Sequence, residues 1–395
     1  MRSVRTLMAS AAAAAAAVLA TNPMTGPAAQ ATTGGHGGPR PVAGGSDRPI
    51  APVDLGFAPD LPYHSATAIN DRGVVAGTAS GGSYDLHGFR WAVGRSAALP
   101  DGAPGPSEIN NGDQIAGFVP HRDRLNTGFV LDAGRGVVDT GFPVDGQNER
   151  GEVVGALPGP DGTRRAVRWW RGQTTDLGAP PGTSSGGVAI SDGGQIAVRV
   201  SDADGNHARV ARWAGGRLDA LPTLPGGGAA WATDINGRGD IVGWADTATG
   251  SRHAVVWLGR RLVDLGASLP GRTSQATAVN DAGQVVGQTS DADGQPGHGV
   301  RWDLGRPRDL GQPRDLGTLG GPVSSPIAIN DRGDVIGDST SADGHRHGFR
   351  WRDGRMTALG DFGGGESRAA AINNRGQVVG DALAPGGHTR AVLWQ

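Results

Sequence analysis

From about residue 50 onward the apolar positions come in short runs of four to six, rich in Val and Ile and bounded by Gly, Asn and Asp. No 3.6-residue period competes with them, so they read as β-strands. A longer period organises these runs. "AINDRGVVAG" at 68–77 returns as "EINNGDQIAG", "GQNERGEVVG", "AISDGGQIAV", "DINGRGDIVG", "AVNDAGQVVG", "AINDRGDVIG" and "AINNRGQVVG". The anchors are Asn70, Asn110, Asn148, Ser191, Asn236, Asn280, Asn330 and Asn373, at intervals of 40, 38, 43, 45, 44, 50 and 43. Each of the eight copies then predicts four short strands. A run of small residues ends in Ile-Asn, and a β-branched run such as "GQVVG" follows. After a polar turn comes a strand ending in Trp, such as "RHAVVW", and then a "GRRLVDLG" segment.

The Asn-x-x-Gly unit predicts a tight hairpin, a type I turn followed by a left-handed residue. Gly takes the left-handed position without steric cost, and the Asn side chain can bond the backbone two residues on. The third strand ends in Trp91, Trp169, Trp213, Trp257, Trp302, Trp351 and Trp394, with Leu131 in the second copy. Two residues earlier stand Phe89, Phe129, Val167, Ala211, Val255, Val300, Phe349 and Val392. Large apolar side chains at period two predict one packing core per repeat.

Four-stranded units at this spacing predict an all-β protein, a β-propeller. The last copy stops at "TRAVLW" and Gln395, without a fourth strand, while "APVDLG" at 51–56 is a fourth strand with no copy before it. The N-terminal strand is therefore expected to complete the last blade. Small residues crowd the first strands (Ala66, Ala68, Ala276, Ala278, Ala369 and Ala371), as an axis requires. Eight blades are expected; the alternatives are seven, with a degenerate third copy, or an open array.

Composition narrows the class. Gly numbers 70 and Pro 26 in 395 residues; Lys is absent, so all 36 basic residues are Arg, against 38 acids. A net charge of −2 offers no basic face for nucleic acid. With no Cys, disulfides are excluded and the core must stabilise the fold alone. "MRSVR", "TLMASAAAAAAAVLA" and "AQA" form the n-region, h-region and cleavage site of a secretory signal over residues 1–31; an uncleaved anchor is the alternative. Its removal takes away Arg2 and Arg5 and no acid, moving the net charge from −2 to −4. Residues 32–49 read as a Gly/Pro-rich flexible linker, and 50–395 as the repeat domain. No later stretch is apolar enough to cross a membrane. An extracellular monomer is expected.

"LGTLGG" at 316–321, the "AIN..G.V.G" pattern and the His-Gly-Phe or His-Ala-Val strand resemble the HAF-repeat family of bacterial extracellular repeat proteins. The resemblance covers about residues 51–395. It implies an extracellular location and a propeller-like β fold, with no assigned activity and no catalytic residues to carry over. Ser191 in place of Asn, the missing Ile before Asn148, and an insertion in the seventh copy, "DLGRPRDLGQPRDLG", depart from the pattern.

Candidate chemistry is sparse. Four residues before the Trp position stand His87, Thr127, Arg165, Arg209, His253, His298, His347 and Arg390. They could rim one face as donors, but a polar slot satisfied by a neighbouring turn fits better, and one His per blade is too dispersed for a metal. "SDADG" at 201–205 and 290–294 is similar to the start of a calcium loop, yet the later Asp and bidentate Glu are missing and Asp-Gly suits a hairpin turn anyway. No cofactor is expected, and no metal beyond this weak calcium signal. There is no Gly-x-Ser-x-Gly elbow, His-Glu-x-x-His, phosphate loop or Cys nucleophile. Asp234 and Glu108 are the acids placed on inner strands near the Asn, where both could face the channel. Trp170, Trp231 and Trp244 lie outside the repeated Trp slot, and in "SADGHRHGFRW" His345 and Arg346 fall in a variable loop; these five are the candidate ligand contacts. The expected function is a secreted, non-enzymatic binding module for an extracellular glycan or protein. The alternatives are a glycan-active hydrolase or lyase with carboxylates in the central channel, or a structural surface or matrix protein.

Overall fold

The computed structural model describes residues 48–395 apart from 83–84, 123–124, 133, 160–161, 203–206, 270, 292 and 306–312. The expected leader and most of the linker lie outside the described residues. The strands form six four-stranded antiparallel sheets and one eight-stranded sheet, with a single 3-10 turn at Gly266–Ser268. The fifth repeat is representative, pairing Ala230–Ile235, Ile241–Asp246, Arg252–Leu258 and Arg261–Asp264 in chain order. The eight-stranded sheet is the first and last repeats joined by one parallel pair, Tyr63 with Thr389. The last repeat supplies Ser367–Ile372, Val378–Leu383 and Thr389–Trp394, and Val53–Asp54 pairs as its fourth strand, Val53 with Leu393 and Asp54 with Val392. The expected closure is present, and the protein is a β-propeller. The insertion at 303–317 belongs to the sixth unit and not to the seventh copy as expected, because it precedes Asn330; the third strand of that unit is Pro296–Asp303 and the fourth Arg314–Asp315.

The core is a set of eight apolar clusters, one between each pair of neighbouring units. Trp257 of unit five packs with Ala197 and Val210 of unit four. Leu55, Ile69 and Phe89 pack with Val379 and Leu393, joining the last unit to the first. Six of the seven slot Trp are buried, and Trp91 is half-buried. The indole N–H of Trp257 donates to the Pro222 carbonyl at 2.8 Å, and that of Trp394 to Gly360 at 3.0 Å, so these buried donors are satisfied.

The Asn turn forms as its residues predict. The Asn70 carbonyl accepts from Gly73 N–H, and Val74 returns its carbonyl to Asn70 N–H. Asn70 Oδ1 accepts from the N–H groups of Arg72 and Val74. The left-handed position holds Gly at φ +76 to +84° in seven units, and Asp113 at φ 60° in the second. What the turn alone did not predict is the other end of the amide. Asn70 Nδ2 donates to the carbonyl of Asn110, Asn110 to Asn148, and Asn148 to Ser191. Asn236 donates to Asn280, Asn280 to Asn330, Asn330 to Asn373, and Asn373 back to Asn70, at 2.9 to 3.4 Å throughout. A second belt runs one residue along. The N–H groups of Asp71, Asn111, Glu149, Gly237, Asp281, Asp331 and Asn374 each donate to a side chain at the same position of the next unit. Both belts lack their link at one seam, between units four and five. There Ser191 has no amide to give, and Gly237 has no side chain to accept.

One repeated glycine follows from close approach. Every first strand bulges before its Asn, and the carbonyl beside the bulge presses on the second strand. A Cβ on Gly243 would stand 1.9 Å from the Trp231 carbonyl, and one on Gly337 2.1 Å from that of Ser325. Unit four carries Val198 at this position, opposite Gly187 instead of a larger first-strand residue, so the volume is exchanged across the pair.

Candidate functional site

Exposure alternates along the first strands. In Tyr63–Ile69 the residues at 63, 65 and 67 are half-buried while 64, 66 and 68 are buried between units. One level at which first and second strands pair directly keeps no common residue type around the ring. The pairs are Ser65 with Thr78, Gly105 with Phe118, Gly186 with Arg199 and Trp231 with Trp244. They continue with Gln275 and Gln288, Ser325 and Asp338, and Arg368 and Asp381. This level concentrates chemistry that the rest of the scaffold keeps out.

On one side, Trp231 and Trp244 stack with centroids 6.2 Å apart and planes 4° from parallel. Arg199 lies over the Trp231 ring at 4.4 Å, and Arg252 over the Trp244 ring at 3.8 Å. Each ring of the pair thus carries one guanidinium, held by the ring quadrupole. Beside them stands Asp145, the bulged residue of Val144–Gln147. At the same bulge position Thr67, Thr233 and Thr277 donate their hydroxyls to carbonyls of their own second strand and of the next unit. A carboxylate cannot do so. Burial pushes the Asp145 carboxyl up to about 7, against the pull of Arg164 and Arg199.

On the other side, the Asp338 carboxylate takes an ion pair from Arg346 at 2.9 Å and an N–H from Ala369. Asp381 accepts from the Ser65 hydroxyl at 3.1 Å. Burial raises both carboxyls. Asp381 is pushed up to about 6, with Arg368 and Ser65 opposing and the Asp338 charge adding to the rise.

The expected contacts fare differently. Trp231 and Trp244 belong to this level, but each is stacked on the other and carries a guanidinium. Trp170 is 39 % exposed with Arg171 over its ring at 4.7 Å, at the end of the third strand in unit three. His345 sits in the hairpin turn of residues 341–345, where Asp343 accepts its N–H. Arg346 is not a free loop donor, because it is committed to Asp338. Asp234 and Glu108 are buried between units instead of facing the channel; Asp234 accepts N–H groups from Ile235 and from Val279 of the next unit. The His and Arg slot is satisfied in more than one way: Arg209 donates to the Gly228 carbonyl in the loop before the next unit, as expected, and His87 pairs with Asp85 of its own strand, while three other positions pair with the outer strand. His253 pairs with Asp264 and His298 with Asp315, both at 3.0 Å, and Arg165 pairs with Asp176 at 3.3 Å. In the loop at 290–294 the Asp291 carboxylate accepts N–H groups from Asp293 and Gln295, a turn-holding role. Part of the loop at 201–205 lies outside the described residues. Asp145, Arg199, Asp338 and Asp381 were not singled out from sequence. The available signal was variation: aligned on the Asn, the residue eight places on is Thr78, Phe118, Ala156, Arg199, Trp244, Gln288, Asp338 and Asp381.

These shifts set a pH dependence. The folded state holds the Asp145 and Asp381 protons at pH values where the unfolded chain, with carboxyls near 3.8, has lost them. Their stabilisation is complete below about pH 4 and is lost as pH rises through about 6 and then about 7. His298, raised by its bond to Asp315, acts in the same sense above its ordinary value; His64, lowered by burial, opposes it. The thermal midpoint is expected to be higher at pH 5 than at pH 8. The double variant Asp145→Asn, Asp381→Asn should narrow that difference, which parallel melts would measure.

No family model and no curated protein matches the chain. Solved structures share its architecture at low identity. A structure from a study of two prolyl endopeptidases superposes with a TM-score of 0.53 at 11% identity, over 76% of this chain and 50% of that one, so this chain spans about half its length. The β-propeller domain of the Trilobed protease from Pyrococcus furiosus, described with an open velcro topology, gives 0.49 at 13% identity over 76% of this chain and 99% of that domain. The Aleuria aurantia lectin in complex with Fucα1-6GlcNAc gives 0.35 at 11% identity, over 76% and 95%. Likeness at such identity defines the fold alone: the chain belongs to the β-propeller class of repeat proteins.

Proposed function

We propose that the protein is a secreted, non-enzymatic binding module of the HAF-repeat kind, and that it binds an extracellular glycan at the variable level of the inner strands. One observation carries this: across units built to one plan, the level that combines partial exposure with Arg, Trp, Gln and Asp side chains keeps no common residue. A purely structural ring has no need of a stacked Trp pair flanked by two guanidinium groups. The secretory signal in the sequence supports an extracellular setting. A glycan array probed with the repeat domain tests the proposal. Binding that falls at least tenfold in Trp231→Ala supports it; failure to bind any glycan sinks it.

A second reading, a glycan-active hydrolase or lyase, draws on Asp338 and Asp381, two interacting carboxyls raised by burial. It requires product release from array-positive glycans that stops in Asp381→Asn.

A further inference from the structure

Arg199 and Asp145 have an arrangement that packing does not account for. Arg199 is half-buried, and its charged form is disfavoured by burial. Its plane is fixed over Trp231, which is backed in turn by Trp244 and Arg252. Among the described residues, no acceptor lies within hydrogen-bonding distance of its guanidinium. Asp145, from the neighbouring unit, is close enough to Arg199 and Arg164 to feel both charges, yet no donor reaches its carboxyl among the described residues. Enclosed polar groups are normally hydrogen-bonded. Here a five-donor guanidinium and a carboxyl from neighbouring units lie within electrostatic reach of each other with no hydrogen bond between them. Of the other inner bulges, Thr67, Ser107, Thr233 and Thr277 carry a hydroxyl bonded to the scaffold, and Val188, Ile327 and Ala370 none, so the scaffold does not need a carboxyl there.

A ligand that satisfies both groups must offer paired acceptors to Arg199 and a hydroxyl donor to Asp145. A carboxylate matches the guanidinium fork in two parallel bonds. A neutral sugar leaves the guanidinium unpaired, and a sulfate or phosphate ester directs only acceptors toward Asp145. We propose that Arg199 and Asp145 form a subsite for a hydroxy-carboxylate, the uronic-acid residue of an acidic glycan. This rests on the glycan-binding reading above and names its ligand class. Trp231 and Trp244 act as the support that fixes the guanidinium plane, not as a platform for the sugar ring.

The test is calorimetric titration of the repeat domain at pH 7 with a galacturonate oligomer, the neutral galactose oligomer of equal length, and free galacturonate, beside an array holding uronate, sulfated and neutral glycans. The uronate oligomer should bind, and Arg199→Gln should weaken it roughly 10- to 100-fold, the loss expected for a charged pair of bonds. Arg199→Lys keeps the charge and loses the fork, so it should also weaken binding. Asp145→Asn should weaken binding roughly 2- to 10-fold, as for one hydroxyl bond. A single cooperative melting transition would show that each variant is folded. Neutral glycans binding as well as uronates, or indifference to both Arg199 variants, would overturn the subsite and leave the glycan reading standing. Free galacturonate binding as tightly as the oligomer, with Arg199 dependence, would keep the subsite and overturn the glycan reading. No binding of any probe would overturn both.

Discussion

Leu55→Ala is expected to lower the unfolding free energy by about 2–5 kcal/mol, the cost of a large cavity in a close-packed core. Leu55 is 2% exposed and packs with residues of both the first and last units. Its N–H donates to the Ala391 carbonyl, continuing the pairing of Val53–Asp54 on the last unit. The effect should exceed that of the same change in an ordinary fourth strand, because this segment ties the two ends of the ring. Chemical denaturation measures it. A loss below about 1 kcal/mol would mean that the parallel pair of Tyr63 and Thr389, with the neighbouring apolar contacts, holds the ring without its N-terminal strand.

Asn330→Ala should cost about 2–4 kcal/mol. The side chain is fully buried and makes four bonds. It accepts from the N–H groups of Arg332 and Asp334, and donates to the Asp334 carboxylate and the Asn373 carbonyl. Removing it leaves several buried partners unmet, each of which is costly. Asn330→Asp separates the two functions of the residue. It preserves the acceptor that holds the turn and sets a carboxylate against Asp334 and the Asn373 carbonyl. If the belt between units matters as much as the turn, Asp will destabilise about as strongly as Ala. If the turn is everything, Asp will be nearly neutral. The converse change belongs at the open seam. Ser191→Asn with Gly237→Asp should restore one link in each belt and raise stability by about 1–3 kcal/mol, at 0.5–1.5 kcal/mol per bond.

Much of this architecture is legible in the chain because it is local. Strand runs, the Asn-x-x-Gly turn and the Trp slot are each written within about ten residues, and eightfold repetition removes chance. The ring closure was legible too, since a strand missing at one end and a spare one at the other admit few solutions. The site was legible only in outline. Trp231 and Trp244 stood out as departures from the Trp slot, but the guanidinium groups covering their faces come from elsewhere in the chain. Asp145 lies in the degenerate third repeat and was not singled out, and Arg346 was read as a loop contact.

The sequence by itself determined the number of repeats, their four-strand content, the turn geometry and the residues of each core, because these depend on periodicity and backbone conformation. The tertiary structure alone decided which side chains meet across units. A contact such as Asn373 with Asn70, or Arg199 with Trp231, depends on how far each sheet turns relative to the next. That angle is set by the packed volume of the cores between sheets, which no single repeat encodes.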